Sequence, residues 1–371
     1  SPKTFTEILK TTMLDFNHLL ENEETLDPND WNAMRQLGHQ MLDDMMDYLQ
    51  NIRSRPAWQE PSCEAKSLLD KPLPTQPEAI SSIYDRFKTA VLPFNKGNIH
   101  PRFWSWVEGT GSPFAMLAEL LAAGMNPNAC IGDHSPMYVE RQVIYWCKQL
   151  LGYPAAATGL LVSGASLANI TALLVARNSF GDRQIRKHGL AAQPAPLVLY
   201  ASAEAHSCIE KAAEVMGIGG AGVRKVRVNR QFQMDTAHLR QLLAEDRAAG
   251  FAPFAVVASA GTVNTGAIDP MAEILSICRA ENLWMHVDGA FGALAKLTPE
   301  FSAQLQPIEE ADSLAFDLHK WMYMPYESGC VLVKNGDLHR AAFGYQAEYL
   351  LAHERGLAAG PEPQRHLGME L

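Results

Sequence analysis

Residues 283–292 read Leu-Trp-Met-His-Val-Asp-Gly-Ala-Phe-Gly. The apolar run Leu283 to Val287 predicts a buried strand. It delivers Asp288 at its carboxyl end, followed by the small residues Gly289 and Ala290, which let a flat group approach closely. Taken alone, Asp288 reads more readily as a helix N-cap or an ion-pair partner. Runs of similar texture recur around it: Leu197–Tyr200, Val223–Val228, Phe254–Ser259 and Cys330–Val333. Helical stretches lie between them, such as Thr236–Ala249 with Asp235 as N-cap and Gly250 as stop. This alternation predicts an α/β fold, a mostly parallel sheet flanked by helices. Ligands of such sheets sit beyond the carboxyl ends of the strands.

Three further segments carry chemistry. In Ser313-Leu314-Ala315-Phe316-Asp317-Leu318-His319-Lys320-Trp321, a lysine is embedded among apolar and aromatic residues. Burial lowers a lysine's pKa and frees its amine for Schiff-base chemistry, although a surface lysine on a loop is the simpler reading. In Leu160-Leu161-Val162-Ser163-Gly164-Ala165-Ser166, an apolar run leads into small and hydroxyl residues and a helix predicted from Ala165 to Arg177. Free N–H groups there make an anion site, with Ser163 as a plain N-cap on the simpler reading. Neither GxGxxG nor GK[ST] is present, so dinucleotides and nucleoside triphosphates lose their fingerprints. In Ser202-Ala203-Glu204-Ala205-His206, an imidazole at a strand end is placed to stack on a planar ring, though a lone histidine is more often structural.

Together these pieces are what pyridoxal phosphate requires: an anion cradle, a stacking His206, the acid Asp288 for the ring nitrogen and the amine of Lys320. Here the chain resembles a known family. His286-Val287-Asp288-Gly289-Ala290, Asp317-Leu318-His319-Lys320-Trp321 and Gly261–Pro270 are similar to the group II pyridoxal phosphate-dependent amino acid decarboxylases, the aromatic amino acid and glutamate decarboxylase superfamily. His100-Pro101-Arg102-Phe103-Trp104 and the Ser135-Pro136 turn extend the resemblance. It implies a type I PLP-dependent transferase-like fold and decarboxylation of an L-amino acid to its amine and carbon dioxide. Lys320, Asp288 and His206 are the implied catalytic residues. Thr262 is implied beneath the ring, and Ala165, Ser166, His319 and Asp317 toward the phosphate. Asp317 is electrostatically awkward beside a phosphate. Trp106 is implied in the substrate pocket, and Ile131 at the neighbouring subunit's site. No metal is called for.

The resemblance also implies a loop tyrosine that donates a proton. The match at Glu362–His366 places Gln364 there, with Tyr345 and Tyr349 as displaced candidates. Aldehyde-forming oxidative decarboxylation is therefore an alternative, as is a non-catalytic homologue acting as a dimerising or binding module. Phe103, Trp104 and Trp106 suit an aromatic substrate by stacking. Arg102 would instead answer an acidic one.

With 31 Lys plus Arg against 41 Asp plus Glu, the net charge is −10, and no basic run suits a nucleic-acid backbone. No stretch of about 18 apolar residues suggests a membrane span. Six scattered cysteines without a CxxC pair read as reduced thiols of a cytoplasmic protein. Ser1-Pro2-Lys3-Thr4 is no signal peptide. Apolar residues Trp31, Met34, Leu37, Met41, Met45, Leu49 and Ile52 mark one face of a helix, with Asp27 as N-cap before Pro28. Prolines crowd residues 54–77. The expected organisation is a helical dimerisation segment over 1–85 and a cofactor-binding domain over 86–371. The resemblance implies a small C-terminal domain beyond the point matching Leu371, and this sequence is expected to lack it. The expected assembly is a homodimer.

Overall fold

The computed structural model describes residues 27–129, 132–181, 185–345, 354–357, 359–360 and 366–369. The chain divides into two units, Ser1–Asn95 and Lys96–Leu371. In the first, helix α1 spans Trp31–Gln50, α2 spans Cys63–Leu69 and α3 spans Ile80–Ala90. The α1 N-cap is Asp30 rather than Asp27, because the Asp30 carboxylate accepts the Asn32 and Ala33 N–H groups. The Asn51 amide closes the other end on the Asp47 carbonyl, so Ile52 falls in a following 3₁₀ turn.

The second unit opens with α4 (Pro113–Met125) and α5 (Ser135–Leu151). Among the described residues seven strands follow, with helices between most of them: β1 Thr158–Val162, α6 Ala165–Ser179, β2 Leu197–Ser202, α7 Cys208–Val215, β3 Val223–Val226, α8 Thr236–Ala248, β4 Ala252–Ser259, α9 Met271–Glu281, β5 Trp284–Asp288, α10 Pro299–Leu305, β6 Ser313–Asp317, α11 Leu318–Trp321, β7 Gly329–Val333 and α12 Gly336–Phe343. They form one sheet in the order β1-β7-β6-β5-β4-β2-β3. Only β7 runs against the others, pairing antiparallel with both β1 and β6. The expected mostly parallel sheet is therefore present.

The continuous apolar character of β2, β4, β6 and β7 follows from their burial on both faces. On one face Ile144, Leu151, Leu239, Leu243, Ile274 and Ile277 come from α5, α8 and α9. On the other, α6 and α7 contribute Leu173, Leu174, Ile209 and Ala212. These helical layers hold the carboxyl ends of β1, β2, β4, β5 and β6 along one rim. The predicted strand Val223–Val228 is shorter in the structure, because Val228 leaves β3 to bridge Met234. Among the described residues, no helix is long and apolar enough to cross a membrane.

Candidate active site

The rim carries a cavity of about 440 Å³, within the range of small-molecule sites. It is lined by Ser166, His206, Thr262, Asp288, Asp317, His319 and Lys320 from five separate segments. Ala165 and Trp106 also line it. The sequence-expected site residues are thus brought together, apart from Ile131, which lies outside the described residues, as does Gln364.

Lys320 sits in α11, a single helical turn that follows β6 directly. Its Nζ lies 3.1 Å from Asp317 Oδ2. The other oxygen, Asp317 Oδ1, accepts the Ala165 N–H at 2.5 Å. Asp317 thereby caps α6 from across the sheet. Ser163 does not fill that role: the N-cap residue is Gly164, and no side chain of its own caps the helix. Backbone closeness makes this possible, because a Cβ on Gly329 of β7 would lie 2.6 Å from the Gly164 Cα. His319 accepts the Ser328 N–H at Nδ1, and burial lowers its pKa.

Asp288, at the carboxyl end of β5, is buried, and its Oδ1 accepts the Ala290 N–H at 3.2 Å. Burial raises its pKa, while Asn169, Lys320 and His206 pull it back. Behind it runs a chain of buried polar groups with one consistent direction. Trp284 Nε1–H donates to Ser313 Oγ at 2.8 Å, and Ser313 Oγ is 2.8 Å from His286 Nδ1. His286 Nε2 is 2.6 Å from Asn169 Oδ1, which leaves the Asn169 amide N–H groups for Cys208 Sγ at 3.3 Å and for Asp288. Burial drives the His286 pKa down to about 3, so the ring is neutral. Sequence reading missed Asn169. Its signal was a lone amide inside the apolar run Leu167-Ala168-Asn169-Ile170.

His206 follows β2, and its Nδ1 accepts the Cys208 N–H at 3.2 Å. Thr262 is buried and pairs its hydroxyl with Thr265 at 2.6 Å. Trp106 is 73% exposed, in a left-handed backbone conformation with φ 56°. The Lys96 ammonium lies over its ring, 4.6 Å from the centroid, and pairs with Glu108. Glu108, Tyr326 and Glu327 also line the cavity and had no sequence signal.

Residues 62–363 match the pyridoxal-dependent decarboxylase conserved domain. The chain belongs to the pyridoxal-dependent decarboxylase family. It is 34% identical to the aromatic-L-amino-acid decarboxylase of Bacillus atrophaeus over 85% of its own length and 65% of that protein's. It is 30% identical to tryptophan decarboxylase 2 of Oryza sativa over 88% and 67%. The crystal structure of Catharanthus roseus tryptophan decarboxylase in complex with L-tryptophan superposes with a TM-score of 0.76, at 25% identity, over 87% of this chain and 70% of that one. The chain thus spans about two thirds of the length of these relatives. The cofactor of this family is pyridoxal 5'-phosphate.

The residues of this chain fit that cofactor. Asp288 is a buried carboxylate that, among the described residues, no cation within hydrogen-bond reach neutralises, suited to a protonated ring nitrogen. Lys320 presents an amine, and the α6 N-terminus presents Ser166 for an anion. The carboxylate of Asp317 is the one discordant charge, offset by Lys320 at 3.1 Å.

Proposed function

We propose that this chain decarboxylates an L-amino acid to its amine and carbon dioxide. The observation that carries the reading is the convergence of Lys320, Asp288, His206 and the α6 N-terminus on one cavity. Bound pyridoxal phosphate supplies an electron sink for the pair left when a carboxylate departs. Lys320 would hold the cofactor through its amine. Asp288 would keep a proton on the ring nitrogen, since an adjacent carboxylate favours the charged form. His206 and Thr262 would contact the ring. Ala165, Ser166 and His319 would hold the phosphate, and Asp317, which caps α6, would orient Lys320.

An aromatic side chain is the substrate class the cavity favours. Trp106, Phe291 and Tyr326 line it, and relatives are named for aromatic amino acids. The proposed assembly is a homodimer, with residues 1–85 as a dimerisation segment and Ile131 near the partner's site. Its support is the apolar helix α4, where Phe114, Leu120, Leu121 and Met125 are 61–82% exposed. The proposed compartment is the cytoplasm, consistent with the free thiols of Cys147, Cys208, Cys278 and Cys330.

The test is direct. Protein supplied with pyridoxal phosphate should develop a visible absorption band, and borohydride should fix the label on the peptide containing Lys320. Amine and carbon dioxide should appear from one or more members of an L-amino acid panel. A colourless, unlabelled protein would instead leave a non-catalytic homologue. Aldehyde in place of amine would mark oxidative chemistry.

A further inference from the structure

We propose that Asn169 is a positioning residue that aims Asp288 at the ring nitrogen of the cofactor, and that a one-way chain of hydrogen bonds starting at Trp284 sets Asn169 in its turn. This rests on the reading of Asp288 given above and deepens it.

The chain runs in one direction because its two ends are of opposite kinds. An indole N–H can only donate, and an ionised carboxylate can only accept. Trp284 Nε1–H occupies Ser313 Oγ at 2.8 Å, so the Ser313 hydroxyl turns its own proton to His286 Nδ1, also at 2.8 Å. His286 is fully buried and neutral, so its single ring proton is left on Nε2. That proton meets Asn169 Oδ1 at 2.6 Å. The Asn169 oxygen is thereby committed to His286, and its amide nitrogen faces the other way. One N–H reaches Cys208 Sγ at 3.3 Å, and the other is directed at Asp288. Turned over, the amide would set its oxygen against a carboxylate and its N–H against the Nε2 proton.

Asp288 depends on this donor. Burial alone favours the protonated acid, and a hydrogen bond given to the carboxylate opposes that. The Ala290 N–H binds Oδ1 at 3.2 Å. Lys320 and His206 act on the carboxylate by charge, without a hydrogen bond to it. The Cys208 thiol, its pKa pushed up to about 12 by burial, stays protonated. Among the described residues, Asn169 is therefore the side chain that holds Asp288 by a hydrogen bond. A carboxylate that rotated, or kept the proton itself, would leave the ring nitrogen without a partner. Asn169 lies one turn inside α6, the helix whose first residues line the same cavity.

The test measures binding rather than turnover. The full chain, freed of cofactor, is titrated by calorimetry with pyridoxal phosphate and with its deaza analogue, in which C–H replaces the ring nitrogen. Contacts to the aldehyde and the phosphate are common to both ligands, so the ratio of the two dissociation constants isolates the ring nitrogen. Wild type should prefer pyridoxal phosphate. Asn169→Leu should weaken pyridoxal phosphate about tenfold, the scale of one hydrogen bond to a charged group, and leave the analogue unchanged. In Asp288→Asn the preference should vanish, and adding Asn169→Leu should then take nothing further. Asn169→Leu strands the His286 Nε2–H, so Asn169→Leu with His286→Leu serves as a second variant in which neither partner is left unpaired. It should show the same loss. Equal losses for the two ligands would overturn the proposal in favour of a structural role, and so would an unchanged ratio. An Asp288→Asn protein that keeps the wild-type preference would reject the reading of Asp288 itself, whatever Asn169 does.

Discussion

Asp317 and Lys320 form a 3.1 Å ion pair one helical turn apart, and the same carboxylate caps α6 through the Ala165 N–H at 2.5 Å. One side chain therefore sets both the lysine and the anion-binding helix end. Its negative charge opposes a phosphate at that end. Asp317→Asn keeps an oxygen for the Ala165 N–H and removes the charge. It should bind pyridoxal phosphate more tightly, by up to about tenfold, or about 1.4 kcal/mol. Absorbance titration measures this, and weaker binding would sink the idea. Asp317→Ala also loses the cap and should lower stability by about 1 kcal/mol.

Asp288→Asn retains the shape of the side chain and discards the charge that faces the ring nitrogen. Turnover should fall about 100- to 1,000-fold, the scale of losing one preorganised electrostatic contact. Asn169→Ala acts one step behind. It strands the buried His286 Nε2–H, which is 2.6 Å from Asn169 Oδ1, and should cost about 1–3 kcal/mol in urea unfolding. Near-wild-type turnover in Asp288→Asn would remove Asp288 from the mechanism.

Stability should also depend on His286 and His339, whose pKa values burial lowers to about 3 and about 4. Below the ordinary value of 6.5 the unfolded chain takes up protons that these buried rings refuse. Their contribution is present above 6.5 and is lost as pH falls toward the folded values. Asp269 opposes them. Burial raises its pKa to about 6, so acidification from 6 toward 3.8 favours the folded state at that residue. Two histidines outweigh one carboxylate in this comparison, and unfolding free energy should drop between pH 6.5 and 4. His286→Gln should flatten the slope, as urea melts across that range would show. An unchanged slope would contradict the assignment.

If α4 closes a two-fold interface, charges on its exposed face should open it. Leu121 and Met125 are 67% and 63% exposed and four residues apart on that helix. The double variant Leu121→Glu, Met125→Glu should sediment as a monomer, whereas wild type should be a dimer burying more than about 2,000 Å². A wild-type monomer would refute the assembly.

The fold was legible where sequence carried a local pattern. Leu197–Tyr200 and Phe254–Ser259 read as strands because they are apolar on both faces, and Asp235 caps α8 as its position before Thr236 suggested. Asp30, rather than Asp27, caps α1 because two acids three residues apart offer the same local signal. The reversed direction of β7 was not legible, since Cys330–Val333 reads the same either way. In the site, Asp288 and Lys320 stood out as charges among apolar residues. Tyr326 and Glu108 did not, because sheet register and the Gly109 contact bring them in from loops with no periodicity of their own.

The position of β7 has a consequence for synthesis. This strand separates β1 from β6, yet it is the last of the seven to be made. At ribosomal rates of roughly 5–20 residues per second, β1 emerges about 10–30 s before the strand that will cover its inner edge. During that interval its unpaired backbone groups can recruit another chain. Until β7 inserts, the loop bearing Lys320 and Tyr326 also lacks its second anchor. A chain halted before Val333 should therefore emerge as a chaperone client without cofactor, even with every ligating residue already translated.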